Sequence, residues 1–203
     1  MTLTWLGHSC FLLESGGFRA VLDPYQNVRG LPDISAEADA VYCSHGHFDH
    51  AYTEKIHLIP GKENPFHVEE IQTLHDSVGG ALRGRNIVRR FTAEGVTVVH
   101  AGDLGHQPTA EQAASIGPCD VLLLPVGGTF TLDAREAKKA AEALRPRVIV
   151  PMHYRDGQRG FVELTPLEDF TGLYPPELVR RYPGNTLRLE PDMPRQVAVL
   201  TLS

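Results

Sequence analysis

His45-Gly46-His47-Phe48-Asp49-His50 places four metal-competent side chains within six residues, directly after the apolar run Ala40-Val41-Tyr42-Cys43. Imidazole and carboxylate suit zinc- or manganese-like ions. A zinc ligand must be held at about 2.0–2.2 Å, so a single turn that delivers several donors is chemically economical. The stretch reads as a metal site at the end of a strand.

Upstream, Thr2-Leu3-Thr4-Trp5-Leu6 alternates polar and apolar, and Cys10-Phe11-Leu12-Leu13-Glu14 follows the break Gly7-His8-Ser9. Ser15-Gly16-Gly17 is a hairpin turn into Phe18-Arg19-Ala20-Val21-Leu22, and the meander stops at Asp23-Pro24, where proline forbids a continued central ladder. Residues 26–39, rich in Gly, Pro and acids, read as a loop leading to the histidine-bearing strand.

Downstream, residues 49–57 read as a short helix, Gly61 to Pro65 as a turn, and Phe66 to Leu74 as a strand closing on His75-Asp76. Asn86 to Phe91 and Val96 to His100 flank the turn Ala93-Glu94-Gly95 and form a second hairpin, which runs out at Ala101-Gly102-Asp103. A helix capped near Thr109 is expected over Pro108 to Ile116. Val121 to Val126 is a buried strand, Asp133 to Leu144 a helix with an acidic cap, and Arg147 to His153 another buried strand ending on histidine. This strand-helix-strand order predicts parallel neighbours. A short helix near Leu167 to Phe170 and a final strand at Val197 to Leu200 complete the reading.

The chain has 203 residues, 42% hydrophobic and 22% charged, which is ordinary globular composition for one domain spanning 1–203. No apolar run approaches the roughly 20 residues that span a bilayer, and the N-terminus lacks a basic segment followed by an apolar one. A soluble, cytoplasmic protein with no membrane partner is expected. Cys10, Cys43 and Cys119 are an odd set in apolar surroundings and read as small buried hydrophobes. A net charge of −6 gives no global attraction to nucleic acid, although Arg83, Arg85, Arg89 and Arg90 could form a local patch.

Collected at strand ends are His45, His47, Asp49, His50, His75, Asp103 and His153. Two ions about 3.5–4 Å apart would each need three or more protein ligands, and these seven side chains supply them with one carboxylate bridging.

His45-x-His47-x-Asp49-His50 resembles the H-x-H-x-D-H signature of the metallo-β-lactamase superfamily, and His75, Asp103 and His153 follow in that family's order. Thr4-Trp5-Leu6-Gly7-His8-Ser9, Gly102-Asp103, Pro125-Val126-Gly127-Gly128 and Pro151-Met152-His153-Tyr154 also resemble its ascorbate-phosphate-lactonase-like branch of small hydrolases. The resemblance implies an α/β fold, a four-layer αββα sandwich. It implies that His45, His47 and His75 hold one divalent ion and Asp49, His50 and His153 the other, with Asp103 bridging. Zinc is the expected metal, with manganese or iron as alternatives.

On this reading a hydroxide between the ions attacks a small anionic ester, lactone or phosphoester, and Asp49 also acts catalytically by orienting it or moving a proton. His8 and His106 are expected at the substrate, the alternative for His8 being a turn cap. Asp23 is either a partner of a ligand histidine or a strand-end turn carboxylate. Arg83, Arg85 and Asn86 could line the mouth for an anion or form a solvated face. His57, His67 and His100 are expected to be structural or exposed.

Two other activities resemble uses of the same scaffold: a mononuclear iron oxidoreductase of the persulfide-dioxygenase kind, and a nucleic-acid phosphodiesterase, which the acidic balance disfavours. Gly127-Gly128-Thr129-Phe130-Thr131 is glycine-rich after a strand but lacks the P-loop lysine, so nucleotide binding is not supported.

Overall fold

The computed structural model describes residues 1–202. In chain order the strands are β1 (Thr2–Gly7), β2 (Cys10–Ser15), β3 (Phe18–Leu22), β4 (Ala36–Ala38), β5 (Ala40–Tyr42), β6 (Ile56–Leu58), β7 (His67–Leu74), β8 (Arg85–Ala93) and β9 (Val96–His100). Then come α1 (Ala110–Ile116), β10 (Val121–Pro125), α2 (Ala134–Leu144), β11 (Val148–Met152) and α3 (Leu167–Thr171). A 3-10 turn at Pro176–Leu178 leads to β12 (Val179–Arg181), β13 (Thr186–Arg188) and β14 (Gln196–Val199).

Two sheets face each other. One has the order β13-β1-β2-β3-β5 and the other β12-β14-β11-β10-β9-β8-β7, while β4 and β6 form a separate pair. The period of two along a strand sorts the first sheet's side chains. Leu3, Trp5, Phe11, Leu13, Ala20 and Leu22 enter the main core shared with the second sheet. Cys10 and Val21 point the other way, into a smaller cluster with Tyr25, Val28, Ile34 and Ile56. The outer face of this sheet is thus covered by loop and short strand, and the helices contact the seven-stranded sheet through α1 on β7 and α2 on β10.

In β10 and β11 every residue is buried, because both faces are covered. Their parallel register, Val121 opposite Val148 through Pro125 opposite Met152, is the one the strand-helix-strand pattern predicts. The intervening α2 buries Ala134, Ala137, Ala140, Ala141 and Leu144 at helical spacing, and a reciprocal Asp133–Glu136 capping box starts it. Thr109 and Gln112 cap α1 in the same way.

Strand direction positions the site. β1 and β5 both run parallel to β3 once the antiparallel β2 is crossed, so Gly7, Leu22 and Tyr42 end on one edge. In the other sheet β7, β9, β10 and β11 likewise share a direction, so Leu74, His100, Pro125 and Met152 end together. The residues that follow these ends form a single rim, the usual ligand-binding edge of such sheets.

Three expectations change. The helix expected over 49–57 is not formed. His50 and Ala51 donate to His47 O, Tyr52 N donates to Pro24 O, and the segment proceeds to β6. Beyond Ala51 the i→i−4 pattern is not continued: Tyr52 N bonds to the neighbouring loop, and Thr53 and Ile56 close only short turns onto Ala51 O and Thr53 O. β4 occupies the end of the expected 26–39 loop, and β12 and β13 occupy a region without a strand signal. Three-residue strands with exposed arginines show too few alternations to be recognised. Among the described residues no helix is long and apolar enough to cross a membrane.

Candidate metal centre

Asp103 Oδ2 is the hub of the rim. It lies 3.1 Å from His75 Nε2, 3.2 Å from His50 Nε2, 3.3 Å from His153 Nε2 and 3.9 Å from His45 Nε2. The side chains follow four different strands and all are buried except His45, which is half-buried. Two further associations surround the hub. His45, His47 and His75 offer nitrogen atoms within 4.8 Å of one another, and so do His8, Asp49, His50 and His153 with their nitrogen and oxygen atoms.

Hydrogen bonds behind these side chains fix which ring nitrogen faces inward. Ser44 Oγ donates its only proton to Asp23 Oδ2 at 2.6 Å, so the 2.9 Å contact between Ser44 Oγ and His45 Nδ1 requires the imidazole to donate. His50 Nδ1 donates to Asp23 Oδ2 at 2.8 Å, and His75 Nδ1 donates to Phe130 O at 2.9 Å. In the neutral tautomers so selected, the Nε2 atoms of His45, His50 and His75 carry lone pairs toward Asp103.

Lone pairs facing a carboxylate are unfavourable without a cation or proton between them. Buried His50 Nε2 and Asp103 Oδ1 have no hydrogen-bond partner, and polar atoms do not normally remain so. The residues therefore fit divalent ions, which satisfy both donor types at once.

The electrostatics show the same demand. Burial opposes charge on Asp103, but His153 and His50 hold its pKa well below the ordinary value. Burial likewise opposes protonation of His50, and the Asp103 and Asp23 carboxylates overcome it and raise its pKa well above normal. His45 goes the other way, to about 3, through burial and the adjacent His50. The negative field that gives His50 a strong proton affinity is a field in which a divalent cation competes with that proton.

Local backbone is bent to make this rim. His8, Asp23 and His153 all adopt left-handed conformations, with φ of 50°, 46° and 53°. Such conformations cost of order 1–3 kcal/mol for residues with a Cβ and persist where the surroundings impose them. Each immediately follows a strand or the strand-end residue and turns the side chain into the rim. Asp23 is held by Ser44 N as well, at 2.6 Å, which makes it a partner of a cluster histidine and not simply a turn carboxylate. At Gly102, φ is +55° and a Cβ would overlap Asn86 Oδ1 and the Ser44 side chain, so glycine lets the loop before Asp103 approach this network.

The structure brings together the seven proposed ligands and also His8. His8 is buried, its Nε2 lies 3.3 Å from Asp49 Oδ2, and its ring centroid lies 4.4 Å from that of His153. His106 is not brought to the cluster. Its Nε2 accepts from Leu74 N at 3.2 Å and its Nδ1 donates to Gln107 O at 2.8 Å, so both nitrogens are committed to main chain. Its expected place at the substrate is corrected to a brace for the end of β7.

Of the three candidates for the mouth, Arg83 lines a cavity of about 270 Å³ that opens on His47, Asp49, Asp103 and His153. Arg85 is exposed and Asn86 is fully buried. Asn86 is the functional residue that the sequence reading misplaced. Its Oδ1 accepts from Asp103 N at 2.9 Å, and its Nδ2 donates to Thr73 Oγ1 and Ala101 O. An asparagine within an apolar alternation, Asn86-Ile87-Val88, is the available signal for such a buried brace. His100 is buried and structural, with Nε2 donating to Ser9 O and Nδ1 accepting from Gly102 N. His57 and His67 are exposed.

Comparisons with known proteins agree with this arrangement. The model of the β-lactamase superfamily domain matches residues 2–153. A UPF0173 metal-dependent hydrolase of Pyrobaculum islandicum is 31% identical over 191 residues, covering 76% of this chain and 84% of the relative. One of Carboxydothermus hydrogenoformans is 30% identical over 192 residues, with coverage of 76% and 84%. The crystal structure of a candidate Zn-dependent hydrolase of the metallo-β-lactamase superfamily from Thermotoga maritima superposes with a TM-score of 0.78 at 36% identity, over 100% of this chain and 99% of that one. The chain belongs to the metallo-β-lactamase superfamily, within its UPF0173 family of metal-dependent hydrolases.

Proposed function

We propose that the protein is a dinuclear metallohydrolase that cleaves a small anionic ester, lactone or phosphoester. The observation that carries this reading is the convergence of His50, His75 and His153 Nε2 on Asp103 Oδ2 within 3.1–3.3 Å, with separate donor groups on either side. His45, His47 and His75 would hold one ion, Asp49, His50 and His153 the other, and Asp103 both. When bound, the ions, with zinc favoured by the donor set, supply Lewis acidity toward a carbonyl or phosphoryl oxygen and lower the pKa of water toward about 7.

The protein's own groups then hold and orient. Asp103 is kept ionised by its histidine neighbours, and Asp23, Ser44 and Phe130 O lock the imidazoles in one tautomer. Asp49, also held ionised at the edge of the cluster and with His8 beside it, would orient the attacking water and accept its proton. The water oxygen bonds to the acyl carbon or phosphorus, the bond to the leaving oxygen breaks, and that oxygen leaves with a proton.

Elemental analysis coupled to a screen of lactones, carboxylic esters and phosphodiesters tests the reading. Two zinc or manganese equivalents per chain with metal-dependent hydrolysis is the expected result. One iron per chain with thiol-dependent oxygen uptake would replace it with the oxidoreductase reading.

A further inference from the structure

Among the described residues, four of the five exposed large apolar side chains belong to segments that line the mouth of the metal centre. Phe48, Val78, Leu82 and Val162 are 50%, 54%, 77% and 56% exposed; Phe48 and Leu82 themselves line the cavities at the mouth, and Val78 and Val162 each follow a lining residue, Ser77 and Phe161. They come from three separate segments. Phe48 belongs to the histidine turn and meets the edge of Phe161 at 6.2 Å between ring centroids. Val162 lies between Phe161 and Glu163, which both line the mouth cavity. Leu82 precedes Arg83 and lines an adjoining cavity of about 500 Å³, which shares His75, Arg83 and Phe130 with the first.

The Leu82-Arg83 pair is held there by design of the loop. The Asp76 carboxylate accepts the main-chain amides of Val78, Gly80, Leu82 and Arg83 at 2.7–2.9 Å. That closes residues 76–84 into a fixed loop and leaves Asp76 with no capacity for a ligand. The Arg83 guanidinium carbon stands 3.7 Å over the Phe130 ring centroid, and among the described residues no carboxylate pairs with Arg83. Stacking on an aromatic face leaves the guanidinium edge free to donate to an anion.

Exposed apolar groups on three converging segments, continuous with a polar reaction centre, form a surface completed by a ligand with a matching apolar part. We infer that the substrate is amphiphilic: a hydrocarbon or aryl part lies on Phe48, Phe161 and Leu82, and an anionic group pairs with Arg83, while the scissile group reaches the Asp103 cluster. This rests on the hydrolase reading and narrows it from small anionic esters in general to those with a substantial apolar part.

The test is calorimetric titration of the zinc-loaded protein with octane-1-sulfonate, methanesulfonate, octan-1-ol and octyltrimethylammonium, with light scattering to establish the oligomeric state. Sulfonates bind metals poorly and are not cleaved, so they report the mouth alone. Octane-1-sulfonate is expected to bind at least about ten-fold more tightly than methanesulfonate, since each buried methylene adds affinity. Arg83→Gln should weaken octane-1-sulfonate about ten-fold and leave octan-1-ol unchanged, as loss of a charge-assisted pair predicts. Phe161→Ala should weaken both long-chain probes.

Equal binding of the long and short sulfonates overturns the inference. So does an unchanged affinity in Arg83→Gln, preference for the ammonium probe, or a dimer whose dissociation by Leu82→Glu shows a second copy covering the mouth. Octane-1-sulfonate binding with these dependences in a protein that hydrolyses no ester would overturn the hydrolase reading alone. Hydrolysis of short polar esters without chain-length preference would overturn this inference alone.

Discussion

Asn86 Oδ1 accepts the main-chain amide of Asp103 at 2.9 Å, from a side chain that is fully buried between β7 and the loop after β9. Through its two donated bonds, to Thr73 Oγ1 and Ala101 O, it joins the ends of three chain segments at the point where the hub carboxylate leaves the sheet. Asn86→Ala leaves the Asp103 amide and the Ala101 carbonyl without partners. Stability should fall by about 2–6 kcal/mol in urea unfolding, at 1–3 kcal/mol for each of the two buried groups left unsatisfied. Unchanged stability would show that this bond does not hold Asp103.

Asp23 acts on the metal centre through His50 and Ser44, without approaching Asp103 itself. Asp23→Asn keeps the shape and removes the charge that raises the basicity of His50. Zinc affinity, read by competition with a chromophoric chelator, should fall about 10- to 100-fold, the usual cost of losing such a partner. Affinity equal to that of the unaltered protein would mean that the carboxylate only shapes the turn.

Asp103→Ala and His47→Ala should each reduce hydrolysis to background and lower the bound metal below two equivalents, with the far-ultraviolet circular dichroism preserved. The reason is geometric: these side chains sit at the rim beyond the strand ends, outside the apolar core that holds the sheets together. Full turnover in Asp103→Ala would remove the bridging role.

Metal removal should lower thermal stability as well as activity. A ligand present at about 100 times its Kd contributes about 2.7 kcal/mol, and at 2–4 °C per kcal/mol for a chain of this size the midpoint should drop by about 5–11 °C on chelation and return with zinc. Scanning calorimetry of the two forms measures it. Identical midpoints would show that the cluster holds no ion in the folded protein.

Gly102→Ala should be among the most damaging single-methyl additions in the chain. The new Cβ would collide with Asn86 Oδ1 and Ser44 while φ stays at +55°, so overpacking and left-handed strain add to about 3 kcal/mol or more. A midpoint within a degree or two of the unaltered protein would show that the loop before Asp103 can shift freely.

Sequence alone determined the elements that local physics controls. Alternation fixed β1 to β3, the Thr109 and Asp133 caps started α1 and α2, and the all-apolar runs of β10 and β11 announced strands covered on both faces. The family signature pointed to the candidate donors because metal chemistry restricts such groups to a few residue types.

Tertiary structure alone decided how those donors meet and what surrounds them. Common strand direction brings residues as distant as His8 and His153 to one rim, a relation between sheets that no local window contains. Asn86, read as a candidate for the mouth, becomes a buried brace. His106, read as a substrate contact, spends both nitrogens on main chain, and the 49–57 segment gives up helical bonds for contacts with the 24–26 loop. In each case a hydrogen-bond partner far away in sequence outweighs local preference, because a buried polar group left unpaired costs more than a helical turn or a rotamer gains.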